Sequence, residues 1–438
     1  MAITWAGPSV FPTGVTRYDP AAAYNCDVLF SAPDGKTYLI DMDGHVRHMW
    51  NYSGMPAKML DPSLTGGAKG EIGVQLKLVP SGGNAITLVP GQKGEFADET
   101  FGYVNWKGEV VWQWGAEAPG GAAFQHHDWE LLRNGDTLLL GNRVGPLPGF
   151  GHHRLMLDPV IYEVNRTGRI VWTWRASQHL PGLGFPPARL KVMEREAAAD
   201  YLHMNDMQDL GPNHWAASGD ARFAPDNVLI TSRNSNVMAI ISHSTGEIVW
   251  RVGPKFASRT HPYAHLLDVQ KVPFRLERLS GEHDAHMIPE GLPGAGDILV
   301  FDNEGEGGYP PVSLPTISGS RVLEINPVTR QVVWQYTGTK ASFFSPFISS
   351  AQRLPNGNTL IDEGIWGRFI QVTRDGRIVW EYVSPFVAPA PPGVNARMAF
   401  IYRIQAVPYD WVPPGVPHSE VAVKPPKLSR FHVTAAMQ

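Results

Sequence analysis

Apolar and polar positions along the chain follow a unit that returns six times. Each copy is a tight turn followed by an apolar-aromatic strand: Gly44 to Trp50, Gly108 to Trp114, Gly168 to Trp174, Gly246 to Val252, Arg330 to Tyr336 and Gly376 to Tyr382. Aligned on the turn, one column holds His48, Trp112, Trp172, Trp250, Trp334 and Trp380. A second column, two residues on, holds Trp50, Trp114, Trp174, Val252, Tyr336 and Tyr382. Residues two apart share one face of a strand. A large aromatic at the same place in every unit predicts equivalent sheets packed face against face. With four strands per unit, the predicted fold is all-β, a six-bladed β-propeller with four-stranded blades.

The strands can be placed in order. Residues 1–26 are Pro-rich and predict an irregular arm. Asp27 to Ser31, Lys36 to Asp41 and the strand ending at Trp50 give three strands, one short of a blade. A full unit is expected from about residue 73, with Gly73 to Val79 as its inner strand and Ala85 to Val89 as its second. Phe101 to Val104 and Glu109 to Trp114 complete it. The next unit runs His127 to Leu132, Thr137 to Leu140, Val160 to Val164 and Ile170 to Trp174. The sixth runs Ser350 to Leu354, Thr359 to Ile361, Phe369 to Val372 and Ile378 to Tyr382, and the Asn-Gly at its first turn is a strong hairpin signal.

Turn positions lie 64, 60, 78, 84 and 46 residues apart, the shortest close to a bare blade. The longer gaps hold insertions at roughly 175–200, 254–280 and 304–319, with a helix expected over Ala188 to Ala199. Phe400 to Pro408 reads as one more inner strand with no successors. It is expected to complete the N-terminal unit and close the ring, which removes exposed sheet edges. The propeller then spans 27–412, and 413–438 forms a Pro-rich tail.

Composition agrees with this plan. The 45 Gly and 38 Pro suit many short strands and argue against long helices. A net charge of -4 gives neither a nucleic-acid footprint nor a polybasic membrane patch. Cys26 is the only cysteine, so no intrachain disulfide forms. No apolar run approaches 18 residues, so no spanning helix is expected. The start lacks a basic region followed by an apolar core. The chain is therefore expected to be cytoplasmic as numbered, or periplasmic if a signal was removed. The expected partner is a small aromatic molecule, with no nucleic acid and no membrane; a homo-oligomer stays open.

Polar chemistry gathers at one mouth of the expected channel. Eight residues before Gly135 and Gly291 stand His127 and His283, each followed by Asp. Asn205-Asp206 falls in register between them, with His203 two residues earlier. At the ends of the second strands, Arg143, Arg233 and Asn303 align and should face the same mouth. A lone buried His is more often structural than catalytic, and an Asp after an inner-strand residue is often an acceptor for a neighbouring turn. The tryptophan columns are blade packing. Three polar side chains in register with two arginines at the rim are less readily structural, because unsatisfied polar groups on a channel wall cost stability. His152, His153, His261 and His265 lie in or near insertions and are expected at the rim.

At these residues the chain resembles the bacterial arylsulfate sulfotransferase family. The resemblance runs from about Thr16 to Tyr402. It rests on the Gly-x-Val-Val-Trp strands, Gln125-His-His-Asp128, His203-Met-Asn-Asp206 with Ser232-Arg233, Glu282-His-Asp284 with Phe301-Asp-Asn303, and Leu354-Pro-Asn-Gly-Asn358. It implies a six-bladed propeller that moves a sulfuryl group between phenols through a sulfated histidine. By resemblance His283 is the nucleophile, and His127 or His126, His203 and Arg233 hold the sulfate. Asn205, Arg143, Asn303 and Tyr402 are expected to contact substrate. Such transfer needs a neutral nucleophile and fixed cations on the equatorial oxygens, and requires no cofactor, neither nucleotide nor metal.

The residues alone leave other readings open. His127, His203 and His283 would suit a three-histidine metal site, although two arginines would repel a dication. A polysaccharide lyase would use a His base with Tyr402 or Arg233 at a uronate. A binding propeller without catalysis would leave the channel histidines incidental.

Overall fold

The computed structural model describes residues 12–78, 98–147, 156–185, 200–253, 279–305, 319–338, 343–389 and 397–425, with 187, 190 and 191. Six antiparallel sheets form the blades of a propeller. In chain order of their outer strands, blade 1 comprises Ile404–Val407, Asp27–Ser31, Thr37–Ile40 and Val46–Trp50. Blade 2 comprises Ser53–Met59, Ile72–Leu78, Asp98–Val104 and Val110–Trp114. Blade 3 comprises Gln125–Leu131, Thr137–Gly145, Met156–Val164 and Ile170–Arg175. Blade 4 comprises Met204–Asp209, Val228–Ser232, Val237–Ile241 and Ile248–Val252. Blade 5 comprises His283–Met287, Ile298–Asp302, Arg321–Asn326 and Gln331–Tyr336. Blade 6 comprises Ser350–Arg353, Thr359–Glu363, Arg368–Val372 and Ile378–Val383.

The expected closure is present. Asp27–Ser31 pairs with Ile404–Val407 in the register Asp27↔Val407 to Phe30↔Ile404. Two expectations need correction. The arm is not wholly irregular: Gly14–Tyr18 adds a fifth strand outside Ile378–Val383, and Tyr18 also bridges Val423 from the C-terminal segment. Blade 2 begins at Ser53, not near residue 73, so the strand over Ile72–Leu78 is its second strand and not its inner one. Pro56 and Gly54 hide the inner strand, since both are depleted in strands. Residues 85–89 and most of 188–199 lie outside the described residues.

Middle strands are buried on both faces, as in Val237–Ile241, where every residue is buried. Six clusters of buried side chains fill the six seams between blades. Phe101, Trp114 and Trp129 lie between blades 2 and 3, for example, and Phe30, Phe369 and Trp380 between blades 6 and 1. The tryptophan columns do more than fill these seams. Each indole N–H donates to a carbonyl in the following blade's turn: Trp50 to Asn105, Trp112 to Arg166, Trp114 to Gly168, Trp172 to His243, Trp174 to Gly246, Trp250 to Pro327 and Trp334 to Arg374. Trp380 donates to Met42 at 2.7 Å and so ties blade 6 to blade 1. His48 fills the tryptophan column in blade 1 with the same contact, its Nε2 lying 2.7 Å from the Trp106 carbonyl. The turn before each column needs a left-handed residue. Glycine supplies it at Gly44, Gly108, Gly168, Gly246 and Gly376 with φ of 76–84°, and Arg330 takes φ 59° in the fifth copy.

Candidate active site

At one mouth of the channel the inner strands depart from regular pairing. Register slips between Leu139 and Gly141 opposite blade 3's inner strand, between Met204 and Asp206 in blade 4, and between His283 and His286 in blade 5. His127, His203 and Asp284 there have φ of 62°, 48° and 54°. Bulges re-aim side chains, and left-handed backbone at non-glycine residues gathers at sites where the surroundings enforce it. The sequence of polar residues that looked regular is therefore presented on a strained rim.

The rim carries a layer of rings. The His127 ring centre lies 4.6 Å from His203 and 5.5 Å from Tyr402, and Tyr402 lies 6.4 Å from His283. Tyr402 arrives just ahead of the closing strand, and its hydroxyl donates to the Asn205 carbonyl at 2.8 Å. Closure of the ring thus places an aromatic between the histidines of blades 3 and 5. Of the two adjacent histidines, His127 faces His203 and Tyr402. The Nδ1 atoms of His126 and His127 are 2.6 Å apart, so one of them must carry a proton.

His283 is clamped at both nitrogens. Nδ1 lies 2.7 Å from Asn303 Oδ1 and 2.8 Å from the Gly281 carbonyl, and Nε2 accepts the Ile348 N–H at 3.1 Å. A donor at Nε2 and acceptors at Nδ1 dictate the tautomer with hydrogen on Nδ1. Asn303 is itself fixed, its amide donating to the Ser345 and Ile348 carbonyls at 2.7 Å. Burial first, and the Arg233 charge second, hold the His283 imidazole well below the usual range, so it is neutral. Burial does the same to His127, with His203 and His126 adding to it, and pushes His126 down to about 4.

The other expected residues are placed as follows. Arg233 stands at the end of its strand, its backbone N–H donating to the His203 carbonyl at 3.1 Å and its guanidinium 6.0 Å from the Phe347 ring centre. The Asn205 side chain is turned into the frame: it donates to the Glu282 carbonyl and accepts the Thr231 hydroxyl, both at 2.7 Å. Arg143 is exposed on the blade 3 ladder opposite Asp158, and its charge falls on Tyr162. Among the described contacts it does not join the imidazole layer. His152, His153, His261 and His265 lie outside the described residues.

Two features were not anticipated. Asp200 places Oδ2 2.5 Å from His203 Nδ1. Arg403, almost wholly buried, pairs with Asp128 at 2.7 Å, Asp206 at 3.0 Å and Asp284 at 3.2 Å. Lys58 adds a second cation on Asp128 at 2.6 Å. Asp128 and Asp284 also accept the backbone N–H of Met207 and Ala351 on the next inner strand. Burial alone would raise the Asp128 carboxyl; Arg403 and Lys58 outweigh it and hold the group well below the usual range. Burial pushes the Asp206 carboxyl above the usual range, with the Arg403 charge pulling against it. Three carboxyls in register on adjacent inner strands demand a cation, and that demand was the available signal for Arg403.

Among the described residues, no group of three or more His, Cys, Asp or Glu side chains is arranged to hold a metal ion. No curated protein matches the chain. Solved structures with a similar fold include a protein of unknown function from Bacteroides caccae (TM-score 0.46, 12% identity, covering 87% of this chain and 98% of that one). Another is a putative 6-phosphogluconolactonase from Bacteroides fragilis (0.40, 7%, 87% and 98%). A third is virginiamycin B lyase from Staphylococcus aureus (0.37, 10%, 86% and 94%). Likeness this weak says nothing of what this chain acts on. A family model, in contrast, matches residues 23–383, which is most of the propeller with its imidazole layer. The chain belongs to the arylsulfotransferase (ASST) family.

Proposed function

We propose that the protein moves a sulfuryl group from an aryl sulfate to a phenol by way of a sulfated His283. The observation that carries this reading is the state of that imidazole: neutral, locked with hydrogen on Nδ1, and under the Arg233 charge. Sulfuryl transfer resembles phosphoryl transfer, with a loose transition state and negative charge on three equatorial oxygens. A neutral nitrogen meets less repulsion from that charge than an anion does. Arg233 supplies a permanent cation with a planar fork of donors for the oxygens.

In the first half, Nε2 forms a bond to sulfur while the bond from sulfur to the phenolic oxygen breaks, its electron pair leaving on oxygen. Nε2 must first be released by the Ile348 N–H. The positive charge that develops on the ring is met at Nδ1–H by Asn303 Oδ1 and the Gly281 carbonyl. In the second half a phenol attacks sulfur and the pair returns to Nε2.

Incubation with 4-nitrophenyl sulfate should release nitrophenolate in a burst and add one sulfuryl group to the peptide containing His283. The adduct should disappear on adding a phenol. His283→Asn should abolish burst and adduct while the protein stays folded. An adduct on a different residue, or activity lost to a chelator and restored by one metal, would overturn the proposal.

A further inference from the structure

The geometry points to Asp200 as a positioning residue that makes His203 the proton donor to the leaving phenolate, an inference that rests on sulfuryl transfer at His283. The four imidazoles of the site are not equivalent. Both nitrogens of His283 are engaged. His126 and His127 are buried and face each other through Nδ1. His203 has a carboxylate on its ring, and its side chain keeps 14% of its surface in contact with solvent. A carboxylate accepts and does not donate, so the hydrogen on Nδ1 belongs to Asp200. Nε2 is then the atom that gives or takes a proton, and the carboxylate answers the charge when the ring becomes imidazolium.

The pair is held rigidly. The Asp200 carbonyl accepts the Asn234 amide at 2.8 Å, and the Leu202 carbonyl accepts both the Asn234 backbone N–H at 3.1 Å and the Ser232 hydroxyl at 2.6 Å. Tyr201 and Leu202, between the two partners, are buried. His203 touches His127 ring to ring, and its charge reaches His283. It therefore stands beside the layer where the phenolic oxygen departs.

The step balances. As Nε2 of His283 bonds to sulfur, the sulfur–oxygen bond breaks and its pair moves to the phenolic oxygen. The proton on His203 Nε2 passes to that oxygen, and the products are a neutral phenol, sulfated His283 and neutral His203. On return, the acceptor phenol gives its proton to His203 Nε2 as its oxygen attacks sulfur. No other reactant is needed.

The demand for this proton depends on the leaving group. A weakly acidic phenol must be protonated as it leaves, whereas 4-nitrophenolate departs unaided. The test compares phenyl sulfate with 4-nitrophenyl sulfate, using the full chain. Asp200→Asn should reduce kcat/KM for phenyl sulfate by roughly 10²-fold and change that for 4-nitrophenyl sulfate by less than about threefold, in line with the usual contribution of general acids. His203→Gln should lower kcat/KM for both donors, and more steeply for phenyl sulfate, and Asp200→Glu should recover part of the Asp200→Asn loss. Equal losses on both donors would assign Asp200 to structure and overturn the inference. Failure of the underlying reading is recognised separately: the unaltered protein would then form no adduct at His283.

Discussion

Arg403 is one cation among three carboxyl groups on the channel axis, and removing it should be costly in a way that depends on pH. Arg403→Met keeps the chain's volume and deletes the charge. Asp128 retains Lys58, but Asp206 and Asp284 lose their cation. Breaking one side of a buried ion pair costs about 3–5 kcal/mol. Unfolding entropy near 2.1 cal/mol/K per residue gives about 0.9 kcal/mol/K for 438 residues, so the melting midpoint should fall by about 3–5 °C. The sign of the pH effect follows from burial. Without Arg403, the carboxyls titrate above the ordinary value of about 3.9, so the unfolded chain ionises first as pH rises. The variant's deficit should therefore grow from pH 5 to pH 8. Asp284→Asn in the same background should return part of the loss. Scanning fluorimetry at both pH values, at a fixed heating rate, reads all three quantities. A deficit equal at pH 5 and pH 8, unaffected by Asp284→Asn, would mean that Arg403 acts by packing alone and would refute the reasoning.

Two further outcomes are expected. Trp380→Phe leaves the buried Met42 carbonyl without its donor, at about 1–3 kcal/mol, and should lower the midpoint more than Trp334→Phe, whose indole is only partly buried. His126, His127 and His283 are all held below the ordinary histidine value by burial, so the unfolded chain takes up protons first as pH falls past about 6.5. Stability should be full above that pH and drain away below it, by up to about 1.4 kcal/mol per pH unit for each such histidine. Midpoints measured from pH 7.5 to 5 should fall, and His126→Gln should flatten the slope.

The ring and its closure were legible because the outer strands repeat a fixed pattern, with Gly at the turn and Trp four residues on. Repetition also revealed His127, Asn205 and His283 in register, and the structure brings two of these to the channel. Legibility failed where local geometry breaks the period. Ser53–Met59 contains Gly54 and Pro56, and its pairing slips between Ser53 and Lys58, so its alternation is invisible. Arg143 aligns with Arg233 in sequence, yet the blade 3 second strand runs on to Gly145, which carries Arg143 past the pairing with the inner strand. Asp200 sits at the exit of an insertion with no repeat to mark it. Asn205 was legible as a polar residue at the channel, but only its contacts reveal that the amide bridges blades 4 and 5.

The indole bonds between blades make the ring open to interrogation one seam at a time. Each seam owns its own indole proton: Trp50 for blades 1 and 2, Trp250 for blades 4 and 5, Trp380 for blades 6 and 1. In deuterium oxide an indole proton is lost only when its bond to the next blade opens, and each gives a separate resonance. The order in which these signals fade ranks the six seams by opening free energy. A linear array frays from its ends. Here both ends are sewn into sheets, so the first signal to vanish names the place where a closed circle gives way.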